Sequence, residues 1–268
     1  MFVPDLSALV VAAHDRPALL QALRERLMQP LSGAARPVPA LPFGLAALDR
    51  KLPGGGLAGD GLHEIVPKGE QALPAAFGFL MALMGRAAAA SGTSCAAPLI
   101  LVLSAQTGFG LVPYGHGLAG LGLDPARLRL VRAGDDQEAL WALEEALRVG
   151  EPAAVAGLSG RGLDLKASRR LQLAAGEARR PLFLLRPDAA LAASAAATRW
   201  RIQAAPGKRD RFDLLSSWRW DVALERCRNG QIGEWIVEWD HGAHRFGLAA
   251  ALAGAAVSDG AEACARVA

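Results

Sequence analysis

The sequence predicts an α/β fold: a mostly parallel central sheet flanked by helices, closed by antiparallel strands. Three observations carry this. Short apolar runs recur at 62–66, 99–104, 127–132, 153–158 and 181–186 without hydrophobic alternation, as in strands covered on both faces. Helical patterns fill the intervals, and repeated strand–helix units imply parallel pairing. Beyond residue 215 the pattern alternates strictly: Trp218, Trp220, Val222 and Leu224 against Arg219, Asp221, Ala223 and Glu225. That period of two marks antiparallel strands with one face buried.

In chain order, 5–28 reads as a helix. Asp15 suits its cap, Pro17 its first turn, and Leu19, Leu20, Leu23 and Leu27 share a face. The Pro- and Ala-rich stretch 29–42 reads as a linker, giving an N-terminal segment 1–42 before a core over 43–248. A short Leu-rich helix ends at Pro53, and Gly54, Gly55 and Gly56 make a turn. The strand at 62–66 leads through Pro67, Lys68 and Gly69 into a long apolar helix over about 75–90.

Asp135 is a good helix N-cap, with Glu138 completing a capping box and Leu140, Leu143 and Leu147 forming the buried stripe. A second helix covers 164–178, with Arg169, Arg170, Arg179 and Arg180 toward solvent. The Ala-rich stretch after Ala189 has no caps. Asn229-Gly230 signals a type I′ hairpin turn. Trp235, Val237 and Trp239 line the returning strand, a final strand is expected near 245–248, and 249–268 reads as a frayed tail.

Composition narrows the function classes. The chain has 268 residues, 52% of them hydrophobic, and a formal net charge of +3, which permits an acidic partner without demanding one. No apolar run reaches a membrane span uninterrupted by Gly, Pro or charge, and no basic segment precedes the first apolar residues, so a cytoplasmic, non-membrane protein is expected. Cys95, Cys227 and Cys264 are far apart and lack metal-ligand spacing, so neither metal nor cofactor is expected. His241 and His244 lack a third ligand. Ser104 and Ser159 follow strands without an elbow motif or a paired base. The four C-terminal tryptophans at 218, 220, 235 and 239 read as sheet core.

The turn after the first strand is the candidate phosphate loop. Such a loop needs glycines with converging N–H groups, then a Lys and a Ser or Thr. Here Ala72, Leu73 and Pro74 occupy the key places, and Lys68 and Gly69 read as an exposed turn.

Two stretches carry a family resemblance over roughly 40–248. LPFGLAALDRKLPGGGLAGDGLHEIVP, at 41–67, resembles the opening of a RecA core. WRWDVALERCRNGQIGEWIVEWD, at 218–240, resembles the closing signature of the ImuA family, RecA-like members of bacterial mutagenesis cassettes. The resemblance implies a RecA-like core whose ATPase positions have changed. Pro67 stands where a glycine follows the first strand, and Ala72, Leu73 and Pro74 replace Gly-Lys-Thr. Gln106 replaces the catalytic glutamate, and an amide cannot act as a general base. Gly157, Leu158 and Ser159 offer no Mg²⁺-side carboxylate. Arg186 lies near the sensing glutamine, and no role is assigned to it.

The resemblance thus implies a non-enzymatic accessory in SOS-induced translesion synthesis. Its implied partners are a polymerase-like ImuB and an error-prone DNA polymerase, with RecA and single-stranded DNA as further partners it allows. Two alternatives stay open: an ATP-binding RecA/RadA-like repair ATPase with an atypical loop, and a single-strand-binding module. For DNA or partner contact the candidates are Arg199, Arg201, Lys208, Arg209 and Arg211, beside Trp200 and Phe212. The competing reading of that cluster is a solvated loop between edge strands.

Overall fold

The computed structural model describes residues 37–90, 97–107, 111–149, 152–159, 163–186 and 193–249. The helix expected at 5–28 and the tail from 250 onward lie outside them. The compact unit Val38–Ala268 contains every element described below.

Nine strands form one sheet in the order β3-β2-β4-β5-β1-β6-β7-β8-β9. The strands are β1 (Leu62–Pro67), β2 (Leu99–Ser104), β3 (Leu128–Ala133), β4 (Ala154–Leu158), β5 (Leu182–Leu185), β6 (Thr198–Arg209), β7 (Leu215–Cys227), β8 (Gly233–Asp240) and β9 (Arg245–Leu248). Pairing is parallel from β3 through to the β1–β6 contact and antiparallel from β6 to β9. This is the RecA-like arrangement expected, with an antiparallel extension.

The helices are α1 (Ala46–Asp49), α2 (Leu73–Ala90), α3 (Gly115–Gly120), α4 (Asp136–Arg148) and α5 (Leu165–Ala178). Helix α2 buries Phe79, Leu80, Leu83 and Met84 in the larger core, with Ile65, Phe183, Trp200, Val222 and Trp239 from the sheet. At ~1.5–3 kcal/mol for each fully buried large side chain, this helix anchors the fold. The segment Glu70–Ala90 is long and apolar enough to cross a membrane, but much of it is buried in the protein's own core. Helices α4 and α5 build a second core through Leu143, Leu147, Leu171 and Ala175, against Val102, Val155 and Leu184.

Local chemistry explains the element ends. Asp135 accepts the Glu138 N–H at 2.7 Å, as a cap should. The return bond of the box is shifted by one residue, because Glu138 accepts from the Gly134 N–H and not from that of Asp135. Asp164 caps α5 through the Ala167 N–H. Of the expected α4 stripe, Leu143 and Leu147 are buried and Leu140 is half-buried. Asp49 gathers the N–H groups of Phe43, Gly44 and Leu45 at 2.8–2.9 Å, which fixes the chain entering α1. Leu41 pairs with Leu57, so the stretch read as a linker ends in packed chain. Gly56 is required there, since a Cβ would lie 2.5 Å from the Leu41 carbonyl oxygen.

Three expectations need correction. The stretch around 199–211, whose competing reading was a solvated loop between edge strands, is largely strand β6, in the middle of the sheet. Its β1 pairing and its partner β7 override the weak strand propensity of its alanines. Strand β3, expected to be covered on both faces, is a sheet edge and exposes Arg129, Leu130, Val131 and Arg132. The β7–β8 connection spans residues 228–232. Asn229 takes φ of 59°, and Gly230 is absent from the positive-φ residues, so the turn is not type I′. Contact with the α1 end explains it: the Gln231 N–H donates to the Lys51 carbonyl, and Lys51 Nζ donates to Gln231 Oε1.

Candidate functional site

Ligands of α/β sheets sit beyond the carboxyl ends of the parallel strands. The loop after β1, an apolar groove and a projecting two-stranded arm lie around this end of β1.

The loop runs from Pro67 at the end of β1 through a short 3-10 turn, Glu70–Ala72, into α2. Gly69 has φ of 100°, which is why glycine stands there. Three N–H groups of the loop are bonded within the protein. Lys68 donates to the Ile202 carbonyl at 2.8 Å and Ala72 to that of Gly69 at 3.1 Å. Leu73 donates to the Glu70 carbonyl, and Pro74 has no N–H. The Lys68 side chain is exposed and lies 3.8 Å from Asp221. Gln106 lies in the exposed turn after β2, and its N–H bonds Ser104 Oγ. Ser159, beyond β4, is fully buried. Lys68 and Gly69 are exposed, as in the turn expected there, and part of the loop is bonded to the protein's own carbonyls.

Behind it lies a feature that the sequence did not reveal. Glu64, in the middle of β1, has no exposed surface. Its Oε1 accepts from Arg186 Nη1 at 2.7 Å and its Oε2 from Arg199 Nε at 2.8 Å. Arg186 also donates to the Leu163 carbonyl at 3.0 Å. One carboxylate in mid-β1 thus joins β1, the carboxyl end of β5 and the amino end of β6. Next to Glu64, His63 is buried too. Its Nε2–H donates to the Ala58 carbonyl at 2.9 Å, because a carbonyl can only accept. Its Nδ1 then accepts from Thr198 Oγ1, which in turn accepts from Trp200 Nε1. Burial pushes the His63 pKa down to about 4, against a smaller upward pull from the Ala58 carbonyl.

The structure divides the expected cation cluster. Arg199 is buried against Glu64, and Arg201 forms a two-toothed pair with Glu225 across the β6–β7 ladder. Lys208, Arg209 and Arg211 alone lie at the far end of the hairpin. There β6 has passed its last pairing with β1, at Ile202, and β7 has not yet met β8, a pairing that begins at Trp218 of β7. The hairpin from about 203 to 217 therefore leaves the sheet as an arm. Its tip exposes Phe212, Leu214 and Leu215, and Arg211 lies 4.6 Å over the Phe212 ring.

Trp220 and Trp239 are fully in the core as expected, whereas Trp218 and Trp235 are half-buried at its margin. Between the arm, the first turns of α2 and the segment Leu111–Leu121 lies a groove of about 500 Å³. His241 packs edge-on against Trp218 at 4.5 Å and reaches the Gly120 carbonyl. Among the described residues no three His, Cys, Asp or Glu side chains gather as a metal site.

No family model matches the chain. It is similar to protein ImuA of Caulobacter vibrioides, from strain NA1000 / CB15N and from strain ATCC 19089 / CIP 103742 / CB 15. Each is 38% identical over 249 residues, which cover 83% of this chain and 93% of the relative.

Proposed function

The chain belongs to the ImuA family, and from that premise we propose that it is a non-catalytic RecA-like accessory protein in SOS-induced translesion synthesis. It acts through protein–protein contacts with ImuB and an error-prone polymerase. The observation that carries this reading is the loop between β1 and α2. A triphosphate needs converging N–H groups, a lysine and a metal-binding hydroxyl. Here the N–H groups of Lys68, Ala72 and Leu73 bond the protein's own carbonyls, and Leu73 and Pro74 fill the places of the lysine and hydroxyl. A fold of this size kept around a loop with neither the lysine nor the hydroxyl serves through its surfaces. Within this reading the contact cations are Lys208, Arg209 and Arg211, since Arg199 and Arg201 are engaged within the sheet.

Co-expression with ImuB of the same cassette tests the reading. A complex that survives gel filtration is expected. Two folded proteins eluting separately would contradict it.

A further inference from the structure

We infer that the groove between α2, Leu111–Leu121 and the β6–β7 arm docks a segment of a partner protein that presents large apolar side chains flanked by acidic residues. This rests on the partner-binding reading above and says where and how the partner is held.

The groove's shape and lining argue for an apolar anchor. Its volume of about 500 Å³ lies in the range of sites that enclose a ligand. Phe77, Met81, Leu118, Leu121, Trp218 and Trp220 give it an apolar wall, and among the described residues Arg219 is the only charged side chain lining it. The Trp220 indole N–H already donates to the Ala75 carbonyl, at 2.9 Å, so the floor asks for no hydrogen bond. A sugar or phosphate would lose water there and gain little.

Exposed apolar side chains continue from the groove to its rim. Val112, Tyr114 and Leu215 line it while largely open to solvent, and Phe212 and Leu214 extend the surface to the arm tip. Contiguous apolar surface of this kind marks an interaction site. Gly207 sets the arm's geometry: a Cβ there would lie 2.2 Å from Leu215 Cδ1 and 2.8 Å from the Ser217 carbonyl oxygen. The bulge between Ala205 and Lys208 lies at the same place.

Charge specifies the flanks. The arm carries Lys208, Arg209 and Arg211 against Asp210 and Asp213. Asp213 is 3.3 Å from Arg209, and the Asp210 carboxylate is occupied by the N–H groups of Phe212 and Leu214. Among the described residues no ion pair engages Lys208 or Arg211. Glu70, on the turn before α2, is the carboxylate nearest in sequence to the α2 wall. Acidic flanks on the occupant would meet the arm's two spare cations, which sets orientation and encounter rate more than affinity.

The test uses three fluorescent helical peptides with identical Leu and Phe anchors and Glu, Gln or Lys flanks, titrated into the full chain by anisotropy. The Glu-flanked peptide should bind tightest, and its lead over the Lys-flanked one should shrink as salt rises. Lys208→Glu with Arg211→Glu should weaken it by roughly 2- to 30-fold, as for two exposed pairs. Ala204→Glu, at an exposed wall position, should weaken all three. Val112→Asp, on another exposed wall, gives the same reading if Ala204→Glu disturbs the melt.

Equal binding of the three peptides, or binding indifferent to both wall variants, overturns the inference. So does displacement of the peptide by a twenty-nucleotide oligo-dT at lower concentration than unlabelled peptide, which would make the arm a DNA contact. If ImuB still co-purifies with a folded Ala204→Glu variant, the groove assignment falls while the scaffold reading stands. If the Glu-flanked peptide binds but ImuB does not co-purify with the wild-type chain, the ImuB partnership falls and the groove stands.

Discussion

Replacing Glu64 with Leu should be among the most damaging single changes in the sheet. The carboxylate has no exposed surface, and its two guanidinium partners, Arg186 and Arg199, are 2% and 8% exposed. Removing it takes the Glu64 counter-charge away from two interior cations. Breaking a buried pair by removing one partner costs ~3–5 kcal/mol, largely from the charge left behind. For a domain of this size each kcal/mol is worth about 2–4 °C, so the melt should fall by about 6–20 °C.

Urea denaturation followed by tryptophan fluorescence reads the free energy, and differential scanning fluorimetry reads the melt. The triple variant Glu64→Leu, Arg186→Met, Arg199→Met should recover most of the loss, because no charge is then stranded. By contrast Arg201→Met, which breaks a pair near the surface, should cost at most ~1 kcal/mol. If Glu64→Leu lies within about 1 kcal/mol of wild type, the triad does not hold the three strands as described.

Other outcomes follow from the same structure. His63 is neutral when folded, with its pKa near 4 against 6.5 for the free side chain. Its contribution to stability is therefore complete above about pH 6.5 and is lost as pH falls toward 4, by ~3 kcal/mol at most. A His63→Phe variant should show a correspondingly flatter fall in stability across that window. Gly56→Ala should cost ~1–3 kcal/mol through its clash with the Leu41 backbone and should speed hydrogen exchange at the Leu41 and Leu57 amides. Gly157→Ala should destabilise by a similar amount, since its Cβ would meet both Leu143 methyl groups inside 3 Å in a buried layer.

Much of the fold was legible because local signals agreed with tertiary ones. Most of the parallel strands read as apolar runs, and Asp135 and Asp164 marked helix starts with side chains that do cap. Strand β6 was hidden because its pairing, not its composition, makes it a strand. Alanines precede it, and Pro206 and Gly207 are breakers by type, yet both are accommodated where the ladder shifts register.

The candidate site was half-visible. The loop's missing lysine and hydroxyl could be read directly, because a motif is local. The burial of Arg199 could not, since its counter-charge Glu64 lies 135 residues away in the chain. The groove was equally unreadable, because its walls come from three separate segments that meet only after the sheet forms.

On the function proposed above, the turn between β1 and α2 does not grip a nucleotide. Titration of the full chain with a fluorescent ATP analogue and Mg²⁺ tests it directly. No saturable binding is expected below ~1 mM. Micromolar binding that disappears in Lys68→Ala would contradict it.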